Sequence, residues 1–337
     1  MKAVYVNLPA SLDNLEVRQI ADPGQPGAGE IRVALHATSL NFHDLLVANG
    51  SIPKDEARLL MADGAGTVEA VGAGVTEFAV GDSVVSTFFP QWLDGLPTSP
   101  VGVFTQTPGD GIDGYATEYC VCEATRFTHA PRGWTHAEAA TITTAGLTAW
   151  RALVCDGNLK AGDTVLTLGT GGVSLAALQI AKMMGATVIM TSSSHEKLAR
   201  AEAHGLDHGI NYRDNPDWAE KVLEITGGRG VDHVLELSGP GTLAQSIQAV
   251  RVGGHISLIG VLTGWQGEVP TAMLMAKHAR LQGLIVGSRR QQQEYVAALN
   301  QANIRPVIDR SFPLEKLGEA FKYQESAKHF GKIVVEW

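Results

Sequence analysis

Thr164-Val165-Leu166-Thr167-Leu168-Gly169-Thr170-Gly171-Gly172-Val173-Ser174 is the stretch on which the architecture turns. A short apolar, β-branched run ends abruptly in glycines, and the apolar spacing beyond Ser174 changes to that of a helix. Gly169 permits a sharp strand-to-helix turn, and Gly171 or Gly172 lets a backbone approach a bulky anion. The helix that follows offers free N–H groups and the positive end of its dipole. That combination suits the pyrophosphate of a dinucleotide held by Gly169, Thr170, Gly171, Gly172 and Val173. Serine replaces the third glycine of the usual fingerprint at position 174 and is small enough for close packing of helix on strand. The competing reading is a tight turn that holds no ligand.

Working outward, short apolar runs alternate with helical spacing. Strands are expected at Thr187–Thr191, Gly209–Asn211, His233–Leu237, His255–Ile259 and Gly283–Val286, with helices at Ser174–Met184, Glu196–His204 and about 290–302 between and after them. Such alternation predicts βαβ units and a parallel sheet. The first third reads differently. Ile31–Ala37, Gly66–Gly72 and Asp82–Val85 are half-buried strands separated by Gly, Asp and Pro, the pattern of a small barrel or sandwich. Residues 87–114 carry Trp, Phe, Pro and Gly without periodicity and read as a long loop. The last residues, Gly331–Val335, return to strand character. The order predicts an α/β domain inserted into a β domain, with 129–303 inserted and 304–337 completing 1–128.

At 337 residues two domains are the expectation. The net charge of −9 and the lack of a basic block argue against a nucleic-acid partner. No apolar run is long enough to span a bilayer, and three cysteines make no disulfide framework, so a cytoplasmic protein that does not engage membranes is expected.

The second strand of the α/β region ends Thr191-Ser192-Ser193-Ser194-His195-Glu196-Lys197. NAD-specific folds place a carboxylate there for the ribose hydroxyls. Hydroxyls from Ser193 and Ser194, the Lys197 ammonium and Tyr212 suit a 2′-phosphate instead, which points to NADPH over NADH. The same serines would also serve as a solvated helix cap, with Lys197 on the outer face.

Together these pieces resemble the medium-chain dehydrogenase/reductase superfamily. The likeness rests on Gly64–Gly72, Val80-Gly81-Asp82-Ser83-Val84, Ala145-Gly146-Leu147-Thr148-Ala149-Trp150, the glycine turn and Asn211-Tyr212-Arg213. The resemblance implies a Rossmann doubly wound parallel sheet inserted into a GroES-like β-barrel domain, with an active site in the cleft between the two domains and a homodimer through an edge strand near Arg280–Val286. It also implies cofactor contacts at Thr148, at Gly260, along Val286-Gly287-Ser288-Arg289 and at Lys332, with Arg289 and Lys332 neutralising phosphate or standing as surface cations. Zinc members of the superfamily have cysteine where Asn41 stands, a His-Glu pair where Ala62-Asp63 stands, and a cysteine or acidic ligand near Thr144. The catalytic metal needs three such ligands, so no zinc is expected. Leu40-Asn41-Phe42-His43-Asp44 resembles the Asn-Phe-x-Asp pattern of the zinc-free quinone oxidoreductase branch, which implies a small-molecule quinone or α,β-unsaturated carbonyl as substrate.

Without a metal, the developing oxyanion needs a hydrogen-bond donor or a proton. The candidates are the Asn41 amide and the His43 imidazole, with Asp44 orienting one of them. Asn41 also fits a role that only positions the nicotinamide, and the same residues also fit a polar loop cap. Phe88, Phe89 and Trp92 are candidate walls of a flat substrate pocket, or the packed lid of the barrel. Two further activities stay open: a metal-free NADP-dependent alcohol dehydrogenase and a non-catalytic, crystallin-like NADPH-binding protein.

Overall fold

The computed structural model describes all residues from 1 to 337. The chain divides into two compact units, Met1–Leu147 with Val286–Trp337, and Thr148–Ile285.

The second unit is built on a six-stranded sheet. Across the sheet the strands run His208–Asn211, Thr187–Ser192, Thr164–Leu168, Val231–Glu236, Val250–Leu258 and Arg280–Gly283. Every pairing is parallel. The first strand in sequence lies in the interior of the sheet, and the chain winds outward from it in both directions, as in doubly wound dinucleotide-binding folds. Leu166, Ile189, Ile210, Val234 and Ile256 from successive strands share a core with Trp218, Val222 and Ile247 from the helices. Strands buried on both faces read as near-continuous apolar runs, which is why this region was legible. One strand differs from expectation: it spans Arg280–Gly283 and stops before Val286, which sits at a positive φ of 46° that no strand residue adopts.

The first unit carries a seven-stranded and a three-stranded sheet. Its central strand, Glu30–Ser39, pairs antiparallel with Ala65–Val71, Tyr119–Glu123 and the C-terminal Lys332–Glu336. The tail therefore completes the first unit, as the β return of the sequence implied. The unit is also larger than its strands predicted. Residues 129–147 and 286–303, expected in the inserted domain, belong here. Ala137, Ala139 and Ala140 of helix His136–Ala140 pack on Ala37, Ala65 and Val334. Gln292, in helix Arg289–Leu299, is fully buried and donates to Ser86 O and Thr128 Oγ1. Helical periodicity could not reveal which sheet those faces would cover. No helix is long and apolar enough to cross a membrane.

Candidate functional site

In the second unit, Thr164–Leu168 delivers the chain into Gly169 at φ 79°, the left-handed region that glycine tolerates without steric cost. Gly171 is the N-cap of helix Gly172–Met183, and no side chain caps that end. A Cβ built on Gly169 or on Gly171 would meet no protein atom within 4 Å. The cradle is open space in front of unclaimed helix N–H groups, a fit for a pyrophosphate. Ser174 is buried and donates from Oγ to Leu168 O at 2.8 Å, tying helix to strand where a third glycine is more usual. Thr170 is buried and Val173 half-buried on the same turn.

The neighbouring strand end is built for both of its readings. Ser194 Oγ accepts from Lys197 N at 3.2 Å and so caps helix His195–Glu202, while its own O–H proton stays available to donate. Ser193 is half-buried, and Tyr212 is 42% exposed with its N–H on Ser192 O. Glu196 points out from the first helical turn. Gly260 is required for a reason internal to the fold: a Cβ there would lie 1.7 Å from Leu237 O. Thr148 is buried at the start of this unit.

In the first unit, Asn41, Asp44 and Lys332 come together, but not as the sequence suggested. Asn41 Nδ2 donates to Asp63 Oδ2 at 2.8 Å and Asp44 Oδ2 at 3.0 Å, with Ser39 O at 3.2 Å. Its Oδ1 accepts from Lys332 Nζ at 2.6 Å. An amide has two N–H protons, and both are committed inside the protein. Asn41 therefore has no donor left for a substrate oxyanion, a correction to its expected catalytic role. Asp44 Oδ2 also accepts from Asn41 N at 3.0 Å and its Oδ1 from Ala62 N at 2.9 Å, so Asp44 orients Asn41 and not His43.

Asp63 was passed over in the sequence, yet it is the hub. It accepts from Ser39 Oγ at 2.5 Å and Thr144 Oγ1 at 2.6 Å besides Asn41, and Lys332 Nζ lies 3.8 Å away. Lys332 is 5% exposed, and its ammonium also reaches Leu40 O at 2.7 Å. It is an internal counter-cation, not a phosphate ligand. Burial, with the Asp63 charge adding to it, pushes Asp44 up to about 6; burial raises Asp63 and lowers Lys332. Asn41 and Thr144 stand around Asp63 with a lysine ammonium beside it, and this donor set does not fit catalytic zinc, which wants three Cys, His or carboxylate ligands.

His43 is placed apart from that network. Its ring stacks on Phe104 with centroids 4.7 Å apart and meets the edge of Phe88 at 5.6 Å. Nε2 lies 2.9 Å from Asp110 Oδ2, off the axis of a good hydrogen bond, and Lys54 Nζ contacts the other carboxylate oxygen. Burial lowers the His43 pKa; Asp44 opposes that and Lys54 reinforces it.

Two further expectations are corrected. Phe88, Phe89 and Trp92 are 1%, 4% and 4% exposed and pack on one another and on Phe104, so they form a packed lid and not pocket walls. Arg289 is bidentate to Glu77 at 2.7 and 2.8 Å and also donates to Phe127 O, so its guanidinium is no phosphate clamp. Ser288 is buried and its Oγ accepts from Gln291 N as the cap of helix Arg289–Leu299, the same arrangement as at Ser194. Val286, β-branched at φ 46°, holds a strained backbone at the boundary of the two units.

Residues 27–132 match the alcohol dehydrogenase GroES-like domain family, and residues 172–302 match the zinc-binding dehydrogenase family. A zinc-type alcohol dehydrogenase-like protein of Schizosaccharomyces pombe is 39% identical over 97% of this chain and 96% of its own. The chain belongs to the medium-chain dehydrogenase/reductase superfamily. It is an oxidoreductase of that superfamily with the GroES-like and Rossmann-type parts described above. Among solved structures, one named as an NAD-dependent alcohol dehydrogenase has a TM-score of 0.87 at 34% identity, with both chains fully covered. A mycobacterial protein complexed with NADPH has a TM-score of 0.83 at 28% identity, again over the full length of both.

Proposed function

We propose that this superfamily member is a zinc-independent, NADPH-dependent oxidoreductase that passes hydride to a quinone or an α,β-unsaturated carbonyl. The observation that carries the reading is the contrast at two positions. The glycine turn is open for a pyrophosphate, while the place where zinc members hold their metal is filled by the Asn41–Asp63–Thr144–Lys332 network.

Bound NADPH supplies the hydride. This chain's own residues bind and orient it: N–H groups at Gly171–Val173 take the diphosphate, and Ser193, Ser194, Lys197 and Tyr212 take the 2′-phosphate. The mycobacterial NADPH complex favours that cofactor and the neighbour named for NAD favours the other; the serines standing at the strand end in place of a carboxylate support NADPH here. The same reading carries a cytoplasmic homodimer pairing through the edge strand Arg280–Gly283.

The test follows NADPH absorbance with a panel of quinones, enals and enoyl thioesters, with and without a chelator. Turnover insensitive to chelation supports the reading; stoichiometric zinc required for turnover overturns it. The alcohol dehydrogenase names of two relatives, one printed as zinc-type and one as NAD-dependent, favour an alcohol as substrate; joined to the metal-free, NADP reading of this chain, that gives a second reading, a metal-free NADP-dependent alcohol dehydrogenase. Oxidation of simple alcohols, with no reduction of the panel, would select it.

A further inference from the structure

We propose that Asp110, carried on the long loop of residues 87–114, is the positioning residue for His43, and that the His43 imidazole exchanges the proton that accompanies hydride transfer. The inference rests on the oxidoreductase reading above and deepens it.

With the Asn41 donors committed to Asp44 and Asp63, His43 is the one proton-carrying candidate of the first unit not locked into that network. The loop holds it at two points. Phe104, itself at a positive φ of 56°, lays its ring on the imidazole, and Asp110, with a side chain 5% exposed, brings a carboxylate oxygen to 2.9 Å from Nε2. Nε2 is buried against that carboxylate without an aligned hydrogen bond, and the nearby negative charge favours the imidazolium. That leaves Nδ1 as the atom that gives and takes the proton.

The charged groups around the ring are Asp110 and Lys54, on the loops packed against it, and Asp44 on its own helix. Lys54 shares the Asp110 carboxylate and works against protonation of His43. A cofactor held at the glycine turn would supply the acceptor with a hydride, that is one proton and two electrons. The imidazolium gives a proton to the acceptor oxygen and is reprotonated from water. The sum is NADPH, a proton and acceptor going to NADP⁺ and reduced acceptor.

The two charges make opposite predictions, which a merely structural role for the loop would not. Asp110→Asn should lower the titration midpoint of His43 by about 1 pH unit, and Lys54→Met should raise it. Imidazole NMR, with His43→Gln to assign the signal, reads this without turnover. In kinetics, His43→Gln should cut kcat roughly 100-fold and Asp110→Asn about tenfold, with NADPH affinity within twofold, and the pH profile of kcat should follow the NMR midpoints in both variants. An active wild type whose profile is the same in Asp110→Asn and Lys54→Met overturns the Asp110 proposal alone. A wild type inert with every acceptor overturns the oxidoreductase reading and the role of His43 with it.

Discussion

The glycine turn and the Asp63 cluster are opposites. Around Gly169 and Gly171 an added Cβ meets nothing, and the helix end lacks a side-chain cap. Around Asp63, hydroxyls, amide and ammonium close on the carboxylates. A cofactor site needs unspent hydrogen-bonding capacity; a structural site spends it. Residue types alone do not separate the two, since threonine and serine occur in both: Thr170 and Ser174 at the turn, Thr144 and Ser39 at the cluster.

The largest expected effect would come from the closed region. Lys332→Met leaves buried carboxylates without their cation and should cost roughly 3–5 kcal/mol in urea unfolding. Adding Asp63→Asn should return at least about 1 kcal/mol of it, since the two act as one unit. A Lys332 variant as stable as the parent would break the comparison from that side.

The open region predicts the reverse pattern. Gly171 has an ordinary φ of −84°, so Gly171→Val should leave stability within about 0.5 kcal/mol. NADPH affinity, read by fluorescence titration, should weaken about tenfold or more, or about 1.4 kcal/mol. Equal affinity would mean that the cradle holds nothing.

Arg289→Gln sharpens the boundary between the two classes. It loses the Glu77 and Phe127 contacts and should cost about 1–2 kcal/mol of stability, while NADPH affinity stays within twofold. A large loss of affinity would restore Arg289 as a phosphate ligand.

Protons distinguish the regions as well. Burial, with Arg280 beside it, lowers His255 of the second unit to about 4 from 6.5, whereas Asp44 of the first is raised to about 6 from 3.8. The His255 contribution to stability is full above pH 6.5 and lost as pH falls through about 4; that of Asp44 is full below 3.8 and lost as pH rises through about 6. His255→Gln should therefore flatten the loss of Tm between pH 6.5 and 4. An unchanged slope would remove His255 from the acid response.

Ser194→Ala should cost about 1 kcal/mol of stability from the lost cap. If the hydroxyl also holds the 2′-phosphate, the preference for NADPH over NADH should narrow in the ratio of their kcat/KM values.

The parallel sheet and the glycine turn were legible because local rules govern them: apolar runs for strands buried on both faces, glycine for a left-handed turn beside an open helix end. The return of the tail to the β unit also followed from the alternation of residues 331–335. What failed was long-range partnering. Asp44 orients Asn41, one of the two roles its place in the sequence offered, but nothing near Asn41 announces that Asp63 and Lys332 would take up its amide. Arg289 looked like a free cation until Glu77 met it. Asp110 sits between two glycines in a loop without periodicity, with no sequence signal that it would reach His43.

The sequence by itself determined the order of elements, the doubly wound sheet and the residues of the glycine turn, since backbone geometry at glycine is a local property. Only the tertiary structure decided which polar side chains are committed and which are available. A donor is spent by whatever acceptor the fold brings within about 3 Å, and chain position does not record that distance.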